Sequence, residues 1–231
     1  MADLGGKINP VGIQDMNRAQ LFNEDYYEHG EAKGISCYTN YHWLPEMTVP
    51  MARALAANLG LRQQDWILDF GCAKGFLVKA FRVLGFANTC GADISEYAIS
   101  HGDEMVKPFL HLIPEGSLLN ISEGGRWGWI IAKDVLEHLT ERDVKATLAK
   151  MHEACENLFF LVPLGVREKY VIPEVEQDVT HIIRRPLDWW GRQAYAAGFR
   201  SIATSYQMPG LKENPPHSLY PAGNGFVIAK R

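Results

Sequence analysis

The run Ile67-Leu68-Asp69-Phe70-Gly71-Cys72-Ala73-Lys74-Gly75-Phe76-Leu77 constrains this chain more than any other stretch. An apolar strand that ends in a carboxylate, turns on glycine and enters a helix is the opening unit of an open α/β sheet. Such a turn brings small residues and backbone N–H groups against a ligand at the carboxyl edge of the strands. A second acid, Asp93, closes the next apolar stretch. It stands about 20 residues beyond the turn, where an acid meets the hydroxyls of a ribose. Together these features predict a nucleotide-type ligand.

The turn also says which nucleotide it does not suit. Only Gly71 and Gly75 are present, so the G-x-G-x-x-G pattern that lets backbone approach a pyrophosphate is missing. A dinucleotide dehydrogenase is therefore the weaker reading, and an acid at Asp69 fits a cationic ligand better.

At 231 residues the chain holds one α/β domain with an N-terminal extension. A net charge of -4 disfavours a nucleic-acid partner. Cys37, Cys72, Cys90 and Cys155 are widely spaced, without a C-x-x-C pair, which fits a reducing compartment. The opening Met-Ala-Asp-Leu-Gly-Gly-Lys lacks the basic-then-apolar form of a secretory leader, so a cytoplasmic protein is expected. The longest apolar run, Leu158 to Val166, is about half the ~20 residues of a membrane span and reads as a buried strand. No feature of the sequence reports the oligomeric state.

Strands are predicted at Trp66–Phe70, Thr89–Ile94, Leu110–Ile113, Trp127–Lys133, Leu158–Val162, Ser201–Gln207 and Phe226–Ala229. Between them, apolar spacing predicts helices at Thr48–Leu59, stopped by Gly60, and at Phe76–Leu84, stopped by Gly85. Ser95 should cap a short helix to Ser100, and Thr140 with Asp143 a longer one carrying Val144, Leu148 and Met151. A helix from Pro186 through Ala197 ends at Gly198; Trp189, Trp190, Tyr195 and Phe199 fit core packing. Residues 1–45 form an arm or lid in which Tyr26, Tyr27, Tyr38, Tyr41 and Trp43 cluster, and residues 46–231 form the domain proper. Aromatics so concentrated pack over something, and the open end of the sheet is the available surface.

The glycine turn resembles the first motif of the class I S-adenosylmethionine-dependent methyltransferases, acid-x-Gly-x-Gly-x-Gly, with Ala73 at the middle glycine. The segment Ala132-Lys133-Asp134-Val135-Leu136-Glu137-His138-Leu139 is similar to the Leu-Glu-His signature of the branch that includes ubiquinone-pathway and small-molecule or sugar O-methyltransferases. The resemblance implies a Rossmann-like, seven-stranded, mostly parallel sheet of order 3-2-1-4-5-7-6, with strand 7 antiparallel and helices on both faces. It implies S-adenosylmethionine as donor, held by Asp69, Gly71, Cys72, Ala73 and Gly75, with Asp93 on the ribose and Ile94 beside the adenine. Ser117, the Leu118 backbone, Asp134 and Tyr41 complete that expected set. The acceptor is expected to be a hydroxyl of a small polar molecule, a sugar or nucleotide-sugar in glycan biosynthesis. A non-catalytic donor-binding subunit is the alternative from another class.

His181, in Gln177-Asp178-Val179-Thr180-His181, is the first candidate for the general base, because an imidazole titrates near neutrality; His138 is the second. The plain alternative for Glu137 and His138 is a solvated helix cap. A divalent ion would enlist Asp134, Glu137, Asp178 and His181, but scattered strand-end carboxylates are common without metal, and no metal site is assigned.

Overall fold

The computed structural model describes residues 17–120 and 125–231, so the opening heptapeptide lies outside the described residues. One seven-stranded sheet organises the domain: β1 (Ile67–Phe70), β2 (Thr89–Asp93), β3 (Leu110–Leu112), β4 (Trp127–Lys133), β5 (Cys155–Pro163), β6 (Ser201–Ser205) and β7 (Asn224–Lys230). Their order is β3-β2-β1-β4-β5-β7-β6, as the resemblance implied. Strands β1 to β5 run parallel, and β7 is antiparallel to both of its neighbours.

Parallel strands are covered on both faces, and β5 shows the consequence in its alternation. Leu158, Phe160 and Val162 join the cluster on one face, Phe159 and Leu161 the cluster on the other, and all five are fully buried. Each such side chain contributes ~1.5–3 kcal/mol by leaving water. The first face is closed by α7 (Glu141–Ala154), through Val144, Leu148 and Met151, and by α8 (Leu187–Ala196), through Leu187 and Trp190. The second is closed by α4 (Pro45–Leu59) and α5 (Phe76–Val83), through Leu55, Leu59, Leu77 and Phe81. Trp190 and Phe199 have no exposed surface, as core packing requires, whereas Tyr195 is 61% exposed and does not belong to the core.

Element ends differ from expectation for local reasons. Helix α4 starts at Pro45 because proline is tolerated in a first turn, and it ends at Gly60 in the left-handed region, φ 68°. Strand β5 is nine residues long because β4 and β7 pair along both of its edges. The β5-to-α8 connection is not a plain loop. It holds a hairpin pairing Gly165–Val166 with Lys169–Tyr170 and a tight turn at Pro173–Gln177.

The arm contains short helices that apolar spacing does not announce: α1 (Arg18–Leu21), α2 (Glu24–Glu28) and α3 (Gly30–Lys33). Asn17 and Asn23 cap the first two. Tyr26 and Tyr27 are 4% exposed and pack with Tyr97 and Ala98 of α6 (Glu96–Ser100) and with Tyr38, Tyr41 and Ala73. The arm thus lies across the carboxyl ends of β1 and β2, latched at several points. Glu28 pairs with Lys74 of the glycine turn at 2.5 Å, the Ser95 hydroxyl donates to the Phe22 carbonyl, and Arg18 pairs with Glu115 and Asp143.

Candidate active site

Gly71 and Gly75 both sit at φ 80°, and Ala73 between them at φ 48°. The two glycines are needed for close approach to protein as well as to any ligand. A Cβ on Gly71 would lie 2.4 Å from Cγ2 of Val135, and one on Gly75 would lie 2.7 Å from Leu110. Gly71→Ala combines a left-handed alanine with a clash in the segment after β4. It is expected to lower unfolding stability by ~2–3 kcal/mol in a denaturant titration, and a loss below half a kcal/mol would contradict this packing.

The turn is held in place by β2. The N–H groups of Gly71 and Cys72 donate to the Ala92 carbonyl, and those of Ala73 and Ser95 donate to the two oxygens of Asp93, each at 2.8 Å. Burial raises the Asp93 carboxyl, opposed by these backbone donors. The Cys72 side chain packs against Gly91, Val78 and Leu110. Asp69 is 4% exposed, and burial pushes its carboxyl up to about 7, with Lys133 pulling it down and Asp93 adding to the rise. Tyr41 packs on Phe76 at 5.0 Å, with its hydroxyl raised to about 12 by burial.

A cleft of about 1220 Å³ opens at the ends of β2 and β3. Ile94 and Tyr97 line one wall, Ile113 to Glu115 another, and Phe22 of the arm a third. Ser117 and Leu118 are not among the lining residues; Ser117 closes a turn on the Pro114 carbonyl, Leu118 packs on the core, and Glu115 takes the lining position. The Asp134 carboxylate pairs with the ammonium groups of Lys133 at 2.5 Å and Lys212 at 3.0 Å. Burial works against its ionisation, but the two lysines hold it well below the usual carboxylate range.

The turn Leu136–His138 brings the remaining candidates together. The N–H groups of Ile182 and Ile183 both donate to the Glu137 carbonyl, folding the segment after β5 back onto the end of β4. His138 and His181 then stand 4.7 Å apart, centre to centre. Glu137 is not a solvated cap: it has no exposed surface, and neither carboxylate oxygen has a hydrogen-bond partner among the described residues. Burial, with Asp134 next, raises its carboxyl well above the ordinary range.

The proton positions on both imidazoles follow from their neighbours. Nδ1 of His181 is 3.0 Å from the Val175 carbonyl, which only accepts, so this nitrogen carries a hydrogen. Nε2 of the same ring faces Oδ2 of Asp178 at 3.8 Å and Oε1 of Glu137 at 4.0 Å. Thr180 donates its hydroxyl to Oδ1 of Asp178 at 2.5 Å and therefore accepts from Nδ1 of His138 at 2.8 Å. Burial, with His181 next, lowers His138 to about 4, so it is neutral at pH 7. The arm reaches this network too: the Tyr26 hydroxyl donates to Oδ2 of Asp178 at 2.8 Å, and the Val179 N–H to the Ile35 carbonyl.

The sequence profile of the methyltransferase domain family matches residues 43–205. The chain belongs to that family. Its donor is S-adenosylmethionine. No curated protein matches the chain in sequence. Among solved structures, it is similar to the Haloferax volcanii methyltransferase in complex with the Trm112 methyltransferase activator, at 13% identity and TM-score 0.61, covering 80% of this chain and 90% of that one. An Archaeoglobus fulgidus S-adenosylmethionine-dependent methyltransferase aligns at 15% identity and TM-score 0.59, over 78% and 92%. Human N-acetylserotonin methyltransferase in complex with its donor aligns at 13% and 0.59, over 98% and 63%.

The methyltransferase's own residues fit this donor. A buried carboxyl held near neutrality at Asp69 suits a ligand that carries positive charge into the fold. The cleft beyond Ile94 sets Phe22, Ile94, Tyr97 and Ile113 beside the polar Asn23 and Glu115. Two residues beside the candidate site, Lys74 and Glu115, escape sequence reading. A lysine in a glycine turn and an acid three residues past a strand end carry no signal until their partners are known. Among the described residues no helix is long and apolar enough to cross a membrane.

Proposed function

We propose that this methyltransferase acts on a hydroxyl oxygen of a small polar acceptor, with a sugar or nucleotide-linked sugar as the acceptor class. The observation that carries this reading is the imidazole pair His138–His181 at the carboxyl end of β4, braced by Asp178 and Thr180. A hydroxyl must lose its proton as its oxygen attacks, which an amine already deprotonated at neutral pH has no need to do. When bound, the donor supplies a methyl carbon on a positively charged sulfur; the O–C bond forms as the C–S bond breaks, and the electron pair stays on sulfur. Nitrogen lone pairs assist by taking the hydroxyl proton or by holding a cation that acidifies it.

The chain's larger contribution is position. Asp69 and the glycine turn hold the donor side, the imidazole pair holds the acceptor side, and the arm excludes water from the space they share. Arg184 and Arg185, at the rim beyond the Glu137 turn, are each paired with a carboxylate, Glu176 at 2.7 Å and Glu141 at 2.6 Å, which a phosphate-bearing acceptor would have to displace. Incubating the protein with methyl-labelled donor and a panel of nucleotide sugars, lipid precursors and small phenols tests the proposal. Label on a sugar oxygen is the expected result, and transfer confined to nitrogen or carbon acceptors would overturn it.

A further inference from the structure

The groups around the Leu136–His138 turn make a second kind of site. One ligand atom from each of Glu137, His138 and His181 lies within 4.8 Å of the others. Ligands on opposite sides of an ion bound at ~2.1 Å stand ~4.2 Å apart, so small side-chain rotations bring these three to binding distance. Glu137 adds an independent observation. A carboxylate with no exposed surface and neither oxygen partnered lacks the compensation that buried polar groups almost always have, and its Oε1 faces Nε2 of His181.

We infer that Glu137, His138 and His181 bind a divalent cation that receives the acceptor hydroxyl. The surroundings are arranged as outer partners of a metal centre. Val175 and Thr180 each fix the Nδ1 hydrogen of one histidine and leave the lone pair on Nε2, the tautomer a metal requires. Asp178 orients Thr180 and is in turn held by Tyr26 of the arm. Two imidazoles and one carboxylate, without thiolate, select borderline ions such as Mn(II), Co(II) or Zn(II) over Ca(II). Three protein ligands leave coordination positions open, as in catalytic and not structural centres. Asp134 takes no part, because Lys133 and Lys212 already neutralise it.

The ion's role in catalysis rests on a hydroxyl acceptor, but its binding does not, and the test keeps the two apart. Untagged protein is stripped with chelator, dialysed, and titrated with Co(II) while the visible ligand-field bands are followed; S-adenosylhomocysteine binding reports that each variant is folded. The expected result is one equivalent of cobalt per chain with bands distinct from those of aqueous Co(II). Affinity should fall at least ~100-fold in Glu137→Gln and His181→Ala, and ~10-fold in Thr180→Ala with recovery in Thr180→Ser. The exposed His101→Ala should bind as wild type. Cobalt that remains aqueous in character, or that binds Glu137→Gln/His181→Ala as tightly as wild type, overturns the inference. Label on oxygen from a protein that binds no cobalt overturns it while leaving the acceptor reading intact. Stoichiometric cobalt with label only on nitrogen supports the site and removes the hydroxyl acceptor.

Discussion

His181→Ala is expected to lower kcat by ~10²–10⁴-fold on any hydroxyl acceptor while leaving the donor dissociation constant within about threefold of wild type. The asymmetry follows from where His181 is anchored. Its Nδ1 is held by the Val175 carbonyl and its Nε2 faces Glu137 and Asp178, all on the segments that follow β4 and β5. The glycine turn is built separately, from Gly71 to Gly75 held by Ala92 and Asp93. Removing the imidazole is therefore expected to disturb the groups around the Leu136–His138 turn and not the glycine turn. Steady-state kinetics with the acceptor identified by label transfer, paired with calorimetric titration of S-adenosylhomocysteine, separates the two quantities. A His181→Ala enzyme that turns over within threefold of wild type would remove this residue from the reaction, whether as proton acceptor or as ligand.

The strands were legible because their physics is local. A buried parallel strand must be apolar along its length, and Trp127–Lys133 and Thr89–Asp93 declare themselves in that way. Their order came from resemblance to a family, since nothing in an apolar run says which neighbour it will pair with. The acceptor side was legible only in part, for reasons visible at particular residues. Glu137 looks like a solvated helix cap until Ile182 and Ile183 bond to its carbonyl and bury it, and those residues lie more than forty positions downstream. Asp134 looks like a site acid until Lys212 reaches it from the long β6–β7 connection. Ser117 was expected in the donor set, whereas the turn after β3 directs Glu115 to the cleft and to Arg18. The arm's helices were missed because four or five residues cannot display a 3.6-residue period, although Asn17 and Asn23 were available as capping signals.

Asp69→Asn is expected to weaken S-adenosylmethionine binding by ~10–100-fold at pH 8, the worth of one charge-assisted contact inside the fold. The pH dependence of the wild type is the sharper signature. Burial raises the Asp69 carboxyl to about 7 in the donor-free protein, so it is largely protonated at pH 6 and largely ionised at pH 8. A cationic donor favours the ionised form, so binding at pH 6 must expel a proton, and affinity rises as pH increases through 7. The sign for stability is the reverse. A carboxyl held above its ordinary value of 3.8 contributes stability that is complete below that value and lost as pH rises through 7. Donor-free Asp69→Asn should therefore melt higher than wild type at pH 8 although it binds the donor less well. Calorimetry in buffers of different ionisation enthalpy should detect proton release in the wild type at pH 6 and none from this position in Asp69→Asn. Equal affinity for wild type and variant, or a wild-type affinity flat from pH 6 to 8, would show that Asp69 does not face the donor's charge. The opposite melting shift, with weaker binding retained, would show instead that Lys133 neutralises the carboxylate before the donor arrives.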